Sequence, residues 1–277
     1  MIAGKPESAL GRTPYYVLTG GLAIIFLFPL VWSFYASVSP QAGTAQSEGF
    51  GWGNYQTMFD FGAGLPTVAA NSAVISILTV AITLIISTLG GYAFARFKFW
   101  GKDALFLLTL SILMVPYATL LIPLYVLLNA VGLSNSLVGV ALMIAMFQLP
   151  FATYMMRISF EAIPRELEES AQIDGCSSFG VLWRIMLPSV TPGLVTVGLF
   201  AFLAAWNDFF APLILLTDPT KQPLPVAVAN LRQQTMGVIN YGATEAGVVV
   251  MALPCIILFL LLQRYYVRGF MSGAVKG

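Results

Sequence analysis

The run ALFLLTLSILMVPYATLLIPLYVLLNAVGLSNSLVGVALMIAMFQLPFATYMM, Ala104 to Met156, contains no Asp, Glu, Lys or Arg. As one helix its 53 residues would be roughly 80 Å long, at ~1.5 Å per residue. A bilayer's hydrocarbon core is about 30 Å thick and takes about 20 apolar residues per crossing. The run must therefore cross twice and fold back between. The turn-like cluster inside it is Asn129-Ala130-Val131-Gly132-Leu133-Ser134-Asn135.

Outward from this run, four further charge-free stretches each hold one crossing: Arg12 to Glu48, Asp60 to Arg96, Arg184 to Asp208 and Glu245 to Arg264. The expected fold is an all-α membrane protein with six transmembrane helices, near 14–38, 70–95, 104–128, 137–157, 191–216 and 245–264. Composition agrees. Hydrophobic residues make up 58% of the chain and charged residues 9%, against about 25% charged in a soluble domain. The first apolar run exceeds the roughly 7–15 residues of a signal-peptide core and has no clear A-x-A site, so it reads as an uncleaved span.

Lys and Arg set the orientation. Lys5, Arg12, Arg96, Lys98, Lys102, Arg157, Arg165, Arg184, Arg264, Arg268 and Lys276 fall on one face, and only Lys221 and Arg232 on the other. By the positive-inside rule the richer face is cytoplasmic. The expected organisation is a cytoplasmic segment 1–13, a six-span domain 14–264 and a cytoplasmic tail 265–277. Within the domain, 158–190 is a cytoplasmic loop, and 39–69 and 217–244 are outer loops. Both termini then lie in the cytoplasm.

The chain has no His, which removes the commonest general base and metal ligand. Cys176 and Cys255 form no paired motif and read as ordinary apolar residues. With a net charge of +1, nothing points to nucleic acid.

Against this background EAIPRELEESAQIDG, residues 161–175, stands out: five of its residues are acidic, in a chain with 12. It has helix grammar. Pro164 suits a first helical position. Glu166, Glu168 and Glu169 crowd the early turns, where the helix dipole favours negative charge. Leu167 and Ala171 share a face, and Gly175 suits a C-terminal cap at φ > 0. Ser177 or Ser178 can cap a second helix, FGVLWRIML, which Leu187-Pro188 should end. Thr191-Pro192 then caps the fifth span. Two readings stand on pattern alone: a solvated surface loop, or a knob that docks on a basic cytoplasmic partner.

The segment LEESAQIDGCSSFGVLWRIMLP, Leu167 to Pro188, resembles the EAA loop of ABC importer permeases. Glu169, Ser170 and Ala171 match its opening triplet, Gly175 its glycine, and Ile185 with Leu187-Pro188 its end. Ser170 departs from the usual middle Ala, a small-for-small change. GYAFARFKFWGK (91–102), AWND (205–208), LPVAVANL (224–231) and VRGFMSGAVKG (267–277) are similar to the carbohydrate-uptake branch, in particular its maltose-type second permease.

The resemblance implies a bacterial inner-membrane subunit that couples to a separate ATPase through Glu168, Glu169, Ser170, Ala171, Asp174, Gly175, Leu187 and Pro188. It implies a homologous second permease, two copies of the ATPase and an extracytoplasmic solute-binding protein as partners, in membrane lipid. ATP and Mg would be used by the ATPase, with no cofactor or metal held by this chain. The residues agree with that division: no G-x-x-x-x-G-K-[ST] occurs. The resemblance further implies that the outer loop, through Gln222, Asn230, Arg232, Gln233 and Gln234, meets the solute-binding protein. An ordinary polar surface loop is the other reading.

Trp206, Asn207 and Asp208 interrupt the fifth span, which fits either interhelical hydrogen bonding or a place on the translocation path. Pro116, Pro123, Pro150 and Pro254 within spans read as architecture. The alternative class is an ion-gradient-driven secondary transporter, for which Asp208 would be the intramembrane candidate.

Overall fold

The computed structural model describes residues 9–40, 49–233 and 240–274, and among these it is helical with no strand. Four helices contain a stretch long and apolar enough to cross a membrane: α1 (Ala9–Val38), α3 (Leu65–Arg96), α6 (Leu137–Glu161) and α12 (Tyr241–Ala274). Two further crossings are bent pairs. Lys102–Met114, which contains α4 (Lys102–Ser111), meets α5 (Tyr117–Ala130) at 106°, and α8 (Ser178–Ser189) meets α9 (Thr191–Trp206) at 76°. Counting each pair once gives up to six crossings, the number expected, although α8 falls in the segment read as a loop and only α9 overlaps the expected fifth span.

The breaks fall at Pro116, one of the prolines read as architecture, and at the polar stretch that interrupts the fifth span. The third crossing is cut at Val115-Pro116. Val115 is extended (φ −85°, ψ 125°), as a residue before proline prefers, and Pro116 (φ −58°, ψ 130°) supplies no N–H to bridge the gap. The fifth span, expected over 191–216, stops at Trp206 and restarts as α10 (Phe210–Leu215). The segments read as outer loops carry helices of their own, α2 (Gly53–Asp60) and α11 (Leu224–Gln233). The last helix runs to Ala274, through most of the segment read as a tail.

The chain forms two units: Met1–Phe61 with Val228–Val250, and Gly62–Ala227 with Met251–Gly277. In the first, Ser37 and Asn54 are fully buried; Asn54 Nδ2 donates to the Ser37 carbonyl (2.9 Å), and Ser37 Oγ lies 2.8 Å from the Tyr55 hydroxyl.

The second unit is built on α3, α6 and α9, which pack on one another. Large apolar side chains of α3 face outward, among them Ile77, Ile85 and Leu89, while Ser72, Ser76, Thr79, Thr83 and Ser87 are buried. These hydroxyls recur every three or four residues and so form one face. Where the surroundings are lipid, small residues let helices approach closely. Gly91 shows how closely: a Cβ there would lie 2.5 Å from Met156 Cβ on α6.

Candidate functional site

The acidic segment forms α7 (Arg165–Ile173), with Pro164 (φ −57°, ψ 140°) at the cap position rather than inside the first turn. Its end is a Schellman turn: the Cys176 N–H bonds to the Ala171 carbonyl and the Gly175 N–H to that of Gln172, each at 3.0 Å. Gly175 sits at φ +86°, where any side chain would be strained. Ser177 caps α8, its Oγ accepting from the Gly180 N–H at 3.2 Å.

Leu187-Pro188 does not stop this second helix, contrary to expectation. Leu182–Met186 form a π turn, closed by the Leu187 N–H on the Leu182 carbonyl, and the helix continues to Ser189. The wider turn makes room for the Pro188 ring, which would otherwise meet the carbonyl four residues back. Thr191 does not cap α9 as expected either; its hydroxyl donates backward to the Pro188 carbonyl at 2.8 Å.

One arginine ties α7 to the bundle. Arg96, the last residue of α3, donates through Nη2 to the carbonyls of Phe160 and Ile163, both at 2.8 Å. Its Nε lies 3.4 Å from Glu168 Oε2, an ion pair without hydrogen-bond geometry. Tyr92, one turn back on α3, donates its hydroxyl to Glu168 Oε1 at 2.7 Å and packs edge-on against Phe160, ring centroids 5.3 Å apart. Glu168 is therefore held inward as a strut between α7 and α3; Ala171, buried three residues on, completes the inward face. Leu167 was expected to share that face but is 47% exposed. Beneath lies a core that joins α3, α6, α7, α8 and α9, including Met156, Phe160, Val181, Met186 and Val197.

The outward face differs. Glu169, Ser170, Asp174 and Gly175 are exposed, and beside them stand Ile173 (86% exposed), Phe179 (68%) and Trp183 (58%). Apolar side chains so exposed next to an acidic rim form a surface suited to a protein partner.

At the opposite end of α3 and α6, Asn71 Nδ2 donates to the carbonyls of Thr220 and Gln222 (2.9 and 3.1 Å), and Ser72 Oγ accepts from the Leu224 N–H at 2.8 Å. Asn135, in the left-handed region at φ +50°, accepts through Oδ1 from the Thr217 and Asp218 N–H groups. The loop that follows α10 is thus pinned at the far end from α7.

Between the two helix breaks lies a cavity of about 610 Å³. Tyr117, at the start of α5, donates to Asp208 Oδ2 at 2.7 Å, and the Ala211 N–H donates to Oδ1 at 2.9 Å. Tyr117 also meets Phe147 edge-on, centroids 4.6 Å apart, and Gln148 and Asn207 complete the polar lining.

Residues 86–271 match the family described as binding-protein-dependent transport system inner membrane component. The chain belongs to this family. It is 34% identical over 271 residues to the probable ABC transporter permease protein YurM of Bacillus subtilis, covering 97% of this chain and 90% of that one. It is 33% identical over 277 residues to the diacetylchitobiose uptake system permease protein DasC of Streptomyces coelicolor, covering 98% and 99%. Its fold matches, at a TM-score of 0.76 and 22% identity, a chain from a bacterial ABC transporter involved in the import of the acidic polysaccharide alginate, covering 95% of this chain and all of that one.

In this permease the interruption of the fifth span divides by role. Asn207 and Asp208 line the cavity, but Trp206 does not. Trp206 is buried at 6% exposure and donates through Nε1 to the Met251 carbonyl of α12 at 2.9 Å. Of the residues expected to meet a binding protein, Gln222 lends its backbone carbonyl to Asn71, Asn230 is half-buried and Arg232 exposed near the end of α11. Gln233 is the last residue of α11, and Gln234 lies outside the described residues, as do 1–8 and 275–277. Arg96, Tyr92 and Tyr117 went unmarked as site residues in the sequence. Tyr117 beside Pro116 in an apolar run gave a usable signal: a hydroxyl next to a helix break.

Proposed function

We propose that this chain is one half of the membrane pathway of an ATP-driven importer for a sugar or sugar derivative, in the inner membrane of a bacterium. A homologous permease forms the other half, two copies of a separate ATPase supply the energy and an extracytoplasmic solute-binding protein delivers the substrate. The observation that carries the reading is the anchored helix α7, fixed inward by Arg96, Tyr92 and Glu168 and presenting Glu169, Ile173 and Phe179 outward. The Lys and Arg bias of the sequence puts that surface in the cytoplasm, where ATP is. The diacetylchitobiose uptake relative supports the sugar branch.

The mechanism follows from the packing. When the ATPase subunits close on ATP, a helix seated on them moves with them. α7 shares its core with α3, α6 and α9, so the displacement enters the bundle as rigid-body rotation and opens one mouth as the other closes. At the far end, the loop pinned by Asn71 and Asn135 is carried by the same α3 and α6, which links delivery by the binding protein to the same motion.

The test is a change of charge at the tip. Glu169→Lys and Gly175→Asp should each lower uptake at least about tenfold, equivalent to ~1.4 kcal/mol of docking. Membrane insertion and pairing with the second permease should be unchanged. Uptake at the original rate in both variants sinks the docking role.

A further inference from the structure

We infer that the cavity between the two helix breaks is a charge filter that accepts neutral or cationic sugars and turns away acidic ones, with Asp208 as the selecting residue. The inference rests on the importer reading above and narrows its substrate class.

The lining carries the argument. Among the described residues Asp208 is its one carboxylate, and no Lys or Arg contributes to it. Both bonds to the carboxylate come from neutral donors, the Tyr117 hydroxyl and the Ala211 N–H, so no opposite charge cancels it. A carboxylate, sulfonate or phosphate that leaves water needs Arg, Lys or free backbone N–H groups to hold it, and the α10 N-terminus is already taken by Asp208 through the Ala211 N–H. Here it would meet a like charge amid apolar walls such as Ile144 and Leu203. A neutral sugar meets the reverse. Its hydroxyls can donate to Asp208 and exchange bonds with the amides of Gln148 and Asn207. The C–H face of a pyranose can rest on Phe147 and Tyr117, which already form one aromatic corner. A volume of about 610 Å³ falls within the roughly 300–1,000 Å³ of small-molecule sites.

Charge-selective thiol chemistry tests this in the assembled complex in membrane vesicles. Cys176 and Cys255 are replaced by Ser and Gln148 by Cys. Modification by a cationic and an anionic methanethiosulfonate is timed, each rate divided by that reagent's rate with a small free thiol. The cationic reagent should react about tenfold faster or more, as a focused field of one sign implies, and adding Asp208→Asn should bring the ratio close to one. Equal corrected rates with Asp208 present, or no reaction at the introduced thiol with either reagent, overturn the filter.

The second arm adds an excess of diacetylchitobiose, trehalose or a glucuronate-bearing disaccharide. Protection by a neutral sugar and none by the uronate supports the proposal; protection by the uronate overturns it. A charge preference with no protection by any sugar would uphold the filter and remove the sugar reading, so the two fail separately.

Discussion

Arg96 gathers the ends of three helices at one point. Its guanidinium serves the Phe160 carbonyl at the end of α6, the Ile163 carbonyl just beyond it and the Glu168 carboxylate of α7, with a side chain only 5% exposed. Removing one partner of a buried pair costs about 3–5 kcal/mol, because the other charge is stranded. Arg96→Gln should therefore lower the thermal unfolding midpoint of the purified permease and make residues 161–176 newly sensitive to protease. A variant as resistant as the parent would show the bonds to be dispensable. The sequence yielded Arg96 only as one charge in a sidedness count. Its partners stand 64, 67 and 76 positions from it or from Tyr92, and no local periodicity encodes such a contact. Glu168 and Glu169 look alike in sequence; only the α-helical phase against α3 makes one a strut and leaves the other exposed.

Elements were legible to the extent that one rule governed them. Apolar run length fixed α3 and α6 to within a few residues, and the glycine turn after α7 came out as a left-handed cap. Where two rules compete, the reading failed: proline ended the third crossing's first half, yet at Pro188 a π turn absorbed it. The α3–α6 interface gives a direct test. Gly91→Val places methyl groups where a Cβ would already be 2.5 Å from Met156, and overpacking of this kind costs about 1–3 kcal/mol. The expected result is a lower unfolding midpoint with uptake reduced in proportion to folded protein; an unchanged midpoint would mean the helices are free to separate. The pinned loop titrates. Asp218 accepts from the Thr220 hydroxyl and N–H, and those bonds hold its carboxyl below the ordinary 3.8. With a depressed folded value, the turn's contribution is complete above the unfolded value and is lost as pH falls through the lower one. Protection of the Thr220 amide, taken relative to intrinsic exchange at each pH, should thus hold at neutral pH and fall only in acid below the usual carboxylate range; loss of protection near pH 6 would point to another group.

For the whole molecule, the six crossings were legible because hydrocarbon thickness imposes a length on every one. The facing breaks that make the cavity were not, since each is ordinary alone and only the fold sets Tyr117 against Asp208. The same pairing bears on the rival mechanism. A proton- or sodium-driven carrier would load and unload such a carboxylate in each cycle, and uptake would collapse when an ionophore dissipates the gradient. In the importer, uptake should persist under ionophore while ATP is held high, and stop when ATP is depleted with the gradient intact. Because α7 is bolted to the membrane helices through Arg96, Tyr92 and a continuous apolar seam, the coupling proposed above would leave little slack between motor and gate. A stroke of a few ångströms below arrives with little lost motion above, so small errors in how the tip is seated should surface as leakage rather than as slower turnover.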